Sequence, residues 1–250
     1  NWPRRIFEDA SRSRERPVVV LMCSIVGAVL REPSDDDLAM LRRVFLESQI
    51  RGKHATGVAY VQNGSIHIDK RPISAQEFPF EFGSYQNEDG HLYLIGHCRY
   101  STSDLQYNQP LGNESKAIVH NGVITQELPE RWKTIYGYAC DTKNDSELIL
   151  HSDNPLAEFN HMSMGVCELY ADKRMRIYRN GKRPLYVTVL PNDRGVIVTS
   201  TADIARRARI DESPVELVMN QYVSFDEHIM MSVERIVVDD AVDLQHYALC

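Results

Sequence analysis

Val18-Val19-Val20-Leu21-Met22-Cys23-Ser24-Ile25-Val26-Gly27-Ala28-Val29-Leu30 is the stretch from which the rest of the chain is read. It is too short for a membrane span, which needs about 20 apolar residues. The Arg-rich residues 4–16 before it give the outline of a secretory signal. However, Glu8, Asp9 and Glu15 interrupt the basic region, and Arg31-Glu32-Pro33-Ser34 after it offers no small-residue cleavage site. The run therefore reads as a buried β-strand behind a polar leader. Met22 stands directly before Cys23, so translation starting at Met22, with loss of the initiator, would leave Cys23 first. A cysteine in that place carries nucleophile and base in one residue, because an α-amine of pKa about 7.7–8.0 can accept the thiol proton.

Taken whole, the 250 residues are 43% hydrophobic, 25% charged and 8% aromatic, which is ordinary globular composition with enough apolar material for a full core. A net charge of -7 repels phosphate backbones and argues against a dedicated nucleic-acid binder. The five cysteines are dispersed and contain no C-x-x-C, which argues against a disulfide framework and a zinc knuckle, and for a reducing compartment such as the cytoplasm. No interdomain linker stands out. The expected organisation is a leader over 1–22, absent from the mature active chain, and one domain over 23–250.

Ser34-Asp35-Asp36-Asp37 before Leu38, Leu41, Val44 and Phe45 predicts an N-capped amphipathic helix ending near Gly52. Residues 57–61 and 65–69 flank Asn63-Gly64, the signature of a hairpin with a type I′ turn. Residues 71–90 read as loop, 91–98 and 116–120 as strands, and 144–151 as helix. The spacing of turn residues predicts a meander of strands over 163–200, a short basic helix over 201–209 and more strand over 221–238. Few β-α-β alternations occur, so the fold class is α+β with extensive antiparallel sheet.

G-x-x-x-x-G-K-[ST], G-x-S-x-G and H-E-x-x-H are all absent from the sequence. His97, His120 and His151 lack metal-ligand spacing, and no metal is expected. Six blocks are informative in their order: Cys23-Ser24-Ile25-Val26-Gly27, Arg51-Gly52-Lys53-His54-Ala55-Thr56-Gly57, Gly96-His97-Cys98-Arg99-Tyr100-Ser101-Thr102, Asn108-Gln109-Pro110-Leu111, Val119-His120-Asn121-Gly122 and Asp145-Ser146-Glu147-Leu148. Together they resemble the class II glutamine amidotransferase domain, a group of N-terminal-nucleophile (Ntn) hydrolases. The branch most similar in motifs contains glutamine phosphoribosyl-pyrophosphate amidotransferase.

The resemblance implies a four-layer αββα sandwich with two antiparallel sheets, and the conversion of L-glutamine to L-glutamate and ammonia through a γ-glutamyl thioester on Cys23. Asn121 and Gly122 match the oxyanion donors, Arg99 the group that binds the substrate α-carboxylate, and Asp145 the group that binds its α-ammonium. Tyr100 and Thr102 match positions that shape the glutamine pocket. No metal or organic cofactor is implied. The chain shows no acidic phosphoribosyl-pyrophosphate motif and no S-G-G-x-D-S motif, so the resemblance implies either a separate ammonia-accepting synthase subunit as partner or release of free ammonia. Cys98 and Lys53-His54 depart from the usual residues, and Cys98 reads as a packing residue. Two other readings are an Ntn amidohydrolase acting on a different amide, and a catalytically silent structural or regulatory subunit that retains its leader.

Overall fold

The structure, a computed structural model, describes residues 7–8, 23–100 and 108–236. In chain order the first half holds β1 (Phe7–Glu8), β2 (Ser24–Leu30), α1 (Asp35–Ser48), β3 (Ala55–Gln62), β4 (Ser65–Arg71), β5 (Leu92–Arg99), β6 (Leu111–Gly112) and β7 (Lys116–Val123). There follow α2 (Pro129–Tyr136), α3 (Glu147–His151), α4 (Pro155–Glu158), β8 (Ser163–Tyr170), β9 (Met175–Arg179), β10 (Tyr186–Leu190) and β11 (Gly195–Thr199). The last elements are α5 (Ala202–Arg207), β12 (Val215–Leu217), β13 (Gln221–Phe225) and β14 (Met231–Arg235). One sheet has the order β1-β12-β10-β11-β2-β5-β3-β4, the other β14-β13-β9-β8-β7-β6, and every pairing is antiparallel.

Three apolar layers separate four layers of structure. Ile25, Val29 and Ile95 of the first sheet meet Val119, Cys167, Ile177 and Val223 of the second. On the outer face of the first sheet, Val26, Ala28 and Leu94 pack under Leu41, Val44 and Phe45 of α1 and Ile204 of α5. On the outer face of the second, Ile118, Val166 and Tyr178 pack under Trp132 of α2, Leu148 of α3 and Leu156 of α4. The αββα sandwich is thus the observed architecture. It also explains the uninterrupted apolar run at 24–30: β2 is covered on both faces, so every one of its residues is buried and no polar alternation appears.

Local signals in the first third act as expected. Ser34 Oγ accepts from the Asp37 N–H at 3.3 Å and Asp37 Oδ2 accepts from the Ser34 N–H at 3.0 Å, closing a capping box at the start of α1. Asn63 (φ 51°) and Gly64 (φ 67°) take the positive φ that a type I′ turn demands between β3 and β4. Elsewhere the structure differs. The strands of 163–200 do not form one meander: β8 and β9 belong to the second sheet, β10 and β11 to the first, and residues 180–185 carry the chain between them. The helix expected at 144–151 starts at Glu147, because Asn144 Oδ1 accepts from the Ser146 N–H at 3.1 Å in a turn. The 71–90 segment, though irregular apart from one 3₁₀ turn at Phe82–Tyr85, buries Ala75, Phe78, Phe82 and Tyr85 under α1.

Phe45 is seated directly on β5, where a Cβ on Gly96 would lie 2.3 Å from its Cζ. Only glycine leaves room for the ring there. We expect Phe45→Ala to lower stability by about 3–5 kcal/mol, the usual cost of emptying a buried aromatic site. Gly96→Ala should be strongly destabilising alone and far milder in the Phe45→Ala background, a coupling that urea unfolding of all four variants measures.

Candidate active site

The pairing of Ser24 with Cys98 and of Ala55 with Arg99 brings the starts of β2 and β3 beside the end of β5. The second sheet brings the end of β7 to the same edge, and the turn before α3 lies across it. The result is a cavity of ≈ 610 Å³ whose walls include Cys23, Arg99, Tyr100, Asn121, Gly122 and Asp145. Residues that stand far apart in sequence thus line one space. Thr102, also singled out from the sequence, lies outside the described residues.

Asn121 joins the two sheets at this point. Its Nδ2 donates to the Cys23 carbonyl at 3.0 Å and to Ser200 Oγ at 2.8 Å, while Ser200 Oγ also accepts from the Ile25 N–H at 2.6 Å. One amide therefore fixes the backbone that carries the cysteine. Gly122, with φ 145°, has no room for a side chain, since a Cβ would stand 1.8 Å from the Ser163 carbonyl oxygen. In this close fit β7 turns its backbone at Gly122 into the cavity wall.

Residues that the sequence offered only as parts of motifs hold this arrangement in place. The Gln109 side chain grips the His120 backbone at both ends, its Oε1 accepting from the His120 N–H at 2.5 Å and its Nε2 donating to the His120 carbonyl at 3.0 Å. The His120 ring lies between Ser146 Oγ (2.8 Å) and the Ser163 carbonyl (3.2 Å); the carbonyl can only accept, so Nε2 carries the hydrogen and Nδ1 accepts from Ser146. Asp145 Oδ2 accepts from the Ile124 and Thr125 N–H groups at 2.6 and 3.3 Å, which fixes its carboxylate against the end of β7. Glu147 accepts from the Asp141 and Thr142 N–H groups, both at 2.7 Å, and braces the loop before it. The Asp-Ser-Glu block is therefore three different anchors in a row.

Electrostatics around Cys23 are divided. Burial pushes its thiol above the ordinary cysteine value, and a backbone hydrogen bond from Tyr100 and the positive charges of Arg99 and Arg51 oppose that shift. Arg51 received no role from the sequence, although its Arg-Gly pair opens one of the blocks. Its own pKa is lowered, first by burial, with the neighbouring Arg183 adding to the effect. Under the cysteine, His97 is fully buried, and burial followed by the charge of Arg99 holds it neutral, with a pKa pushed down to about 3. Burial lowers His120 as well. Cys98, as expected of a packing residue, is buried with its Sγ 3.9 Å from the Phe45 carbonyl.

Among solved structures the sandwich matches glutamine phosphoribosylpyrophosphate amidotransferase from B. subtilis, with a TM-score of 0.64 and 19% identity over 85% of this chain and 49% of that one. The chain has the class II glutamine amidotransferase fold. A structure described as the allosteric regulatory enzyme of purine biosynthesis gives the same TM-score of 0.64 at 20% identity, again over 85% of this chain and 49% of that one. A glutamine aminotransferase class-II domain protein from Silicibacter pomeroyi is matched over its whole length (100%) and 87% of this chain, at 13% identity and a TM-score of 0.54. The chain spans about half the length of the first two of these proteins. No protein-family profile and no curated protein sequence matches it. Among the described residues no helix is long and apolar enough to cross a membrane.

The buried histidines give this fold a pH dependence of known sign. Unfolded, each takes up a proton near its ordinary pKa of 6.5; folded, His97 does so only near 3. The unfolded state therefore binds more protons in that window, and stability is present above pH 6.5 and is lost as the pH falls toward 3, by up to about 1.4 kcal/mol per pH unit for one histidine. Denaturation midpoints of His97→Gln should fall less steeply than those of the parent between these values; equal slopes would show that His97 is not held neutral.

Proposed function

We propose that the chain is a glutaminase of the class II amidotransferase type, which hydrolyses L-glutamine to L-glutamate and ammonia and supplies the nitrogen to a separate acceptor. The observation that carries this reading is a single cavity lined by a cysteine, a guanidinium, a carboxylate and an Asn-Gly pair. Arg99 suits a substrate carboxylate, for which a guanidinium offers a bidentate fork, and Asp145 suits the ammonium at the other end of the same α-carbon. Reading both charges selects a free amino acid over a peptide.

In the proposed reaction the Cys23 thiol gives its proton to a base as sulfur bonds to the substrate Cδ. Charge collects on the amide oxygen, where the Asn121 amide and the Gly122 N–H serve as donors. Asn121 releases the Cys23 carbonyl or Ser200 to do so. Collapse breaks the C–N bond, ammonia leaves with the proton, and water then cleaves the thioester to glutamate and free thiol. The base is the α-amine of Cys23, which exists only when residues 1–22 are gone. Burial makes that base necessary, because it keeps the thiol protonated at neutral pH.

A chain beginning at Cys23 should release ammonia from glutamine, and Cys23→Ala should abolish the release. Arg99→Lys and Asp145→Asn should raise KM with little change in kcat, because the charges they meet are the same in substrate and transition state. Asn121→Ala should lower kcat about 10²–10³-fold, the usual value of one oxyanion donor. Steady-state kinetics separates the two classes, and an Asn121→Ala effect confined to KM would contradict the donor role.

One observation favours a second reading. Phe7 and Glu8, which precede Cys23, pair with Leu217 and Glu216 of β12 and extend the first sheet, so retention of 1–22 would add a strand to the fold. Cys23 is then an amide with no lone pair for the thiol proton, and the protein is a silent structural or regulatory subunit. The two readings part on one comparison. Ammonia release should be far higher for the chain starting at Cys23 than for one in which mass spectrometry shows 1–22 retained. Equal rates would remove the α-amine from the mechanism.

A further inference from the structure

Cys140, Glu147 and His151 play no part in the reaction just described, yet each offers one metal-ligating atom and the three atoms lie within 4.8 Å of one another. We propose that they form a divalent-metal site of the zinc type, with three protein ligands and a fourth position open to water.

Glu147 and His151 stand four residues apart on α3, so one helical face presents both. His151 Nε2 is 3.7 Å from Glu147 Oε1. Two ligands bound at ~2.0–2.3 Å to a tetrahedral ion lie roughly 3.3–3.7 Å apart, so this pair already has the required separation. Cys140, from the loop before α3, completes the triangle. Glu147 is pre-positioned: Oε1 accepts one N–H, from Asp141, which leaves that oxygen a lone pair for an ion. Thiolate, imidazole and carboxylate together suit Zn²⁺ rather than Mg²⁺ or Ca²⁺, which take oxygen ligands.

The surroundings favour a cation. The Glu147 and Asp141 carboxylates stand close to the Cys140 sulfur, and their negative potential attracts a metal ion. A second cavity of ≈ 490 Å³ adjoins Glu147 and carries Asp69 and Asp141 as well, with Lys70 as the opposing charge. His151 is exposed, so a hydrated ion reaches the cluster from solvent. An ion there would tie the 140–142 loop to α3 on either side of Asp145. That bracing of the substrate-ammonium anchor rests on the role proposed for Asp145, whereas metal binding itself does not.

The alternative is a plain Glu147–His151 ion pair, which needs no Cys140. Cobalt spectroscopy distinguishes the two without any assay of activity. The probe is the metal-stripped full chain carrying Cys23→Ser and Cys250→Ser, so that Cys140 is the solvent-reachable thiol while Cys98 and Cys167 are buried. Titration with Co²⁺ should produce a thiolate-to-cobalt charge-transfer band with tetrahedral d–d bands, and one equivalent of Zn²⁺ should abolish both. Adding Cys140→Ser should eliminate the charge-transfer band, and adding His151→Ala should weaken Co²⁺ binding more than about 10-fold, at least as much as loss of a ligand's supporting partner. Cys140 is half-buried at the edge of the outer core and His151 is exposed, so both variants should fold, which circular dichroism checks. Absence of a charge-transfer band at millimolar Co²⁺, a band that survives Cys140→Ser, or unchanged affinity in His151→Ala would each overturn the site.

Discussion

The Asn121 side-chain amide is the interaction on which the site depends. It is the point where β7 of one sheet takes hold of the Cys23 carbonyl, and of Ser200 just after β11, in the other. Two sheets packed through aliphatic side chains can slide by fractions of an ångström at small cost, because apolar contact has no direction. A pair of hydrogen bonds of 3.0 and 2.8 Å does have direction, and it fixes where the cysteine lies relative to β7. The grip of Gln109 on the His120 backbone and the Ser146–His120 contact serve the same end one residue earlier. The apolar layers stabilise the sandwich, and this short polar chain aligns it.

That alignment has an electrostatic cost near Cys23. Burial raises the Cys23 thiol, and Arg99 and Arg51 recover only part of the effect. A buried cysteine without an imidazole partner is inert, so the proposed chemistry turns on the backbone nitrogen of the same residue. His97 and His120, the histidines nearest the site in the fold, are held neutral and buried, and His120 is engaged in orienting its neighbours. Histidine here belongs to the scaffold.

Much of this was legible in the sequence for identifiable reasons. The fully buried β2 announces itself as an unbroken apolar run, the Ser34/Asp37 box marks the start of α1, and Asn63-Gly64 marks a turn that needs two positive φ values. Six of the residues that the resemblance singles out, each within an ordered series of short blocks, line one cavity. What escaped was whatever has too little length for periodicity. α2 has 8 residues and is held chiefly by Trp132, and α4 has 4 and starts at a proline. The split of 163–200 between sheets was hidden because an antiparallel strand has the same pattern whichever sheet it joins. Arg51 and the Cys140–Glu147–His151 cluster depend on side chains that meet only after folding.

The central claim is that Cys23 is the nucleophile of a glutamine site. An electrophilic glutamine analogue, reacted with the chain starting at Cys23 and mapped by peptide mass spectrometry, tests it most directly. The account predicts one adduct, on Cys23, whose formation excess L-glutamine slows. An adduct on Cys98 or Cys140 with Cys23 unmodified, or labelling of Cys23 that glutamine does not slow, would contradict it.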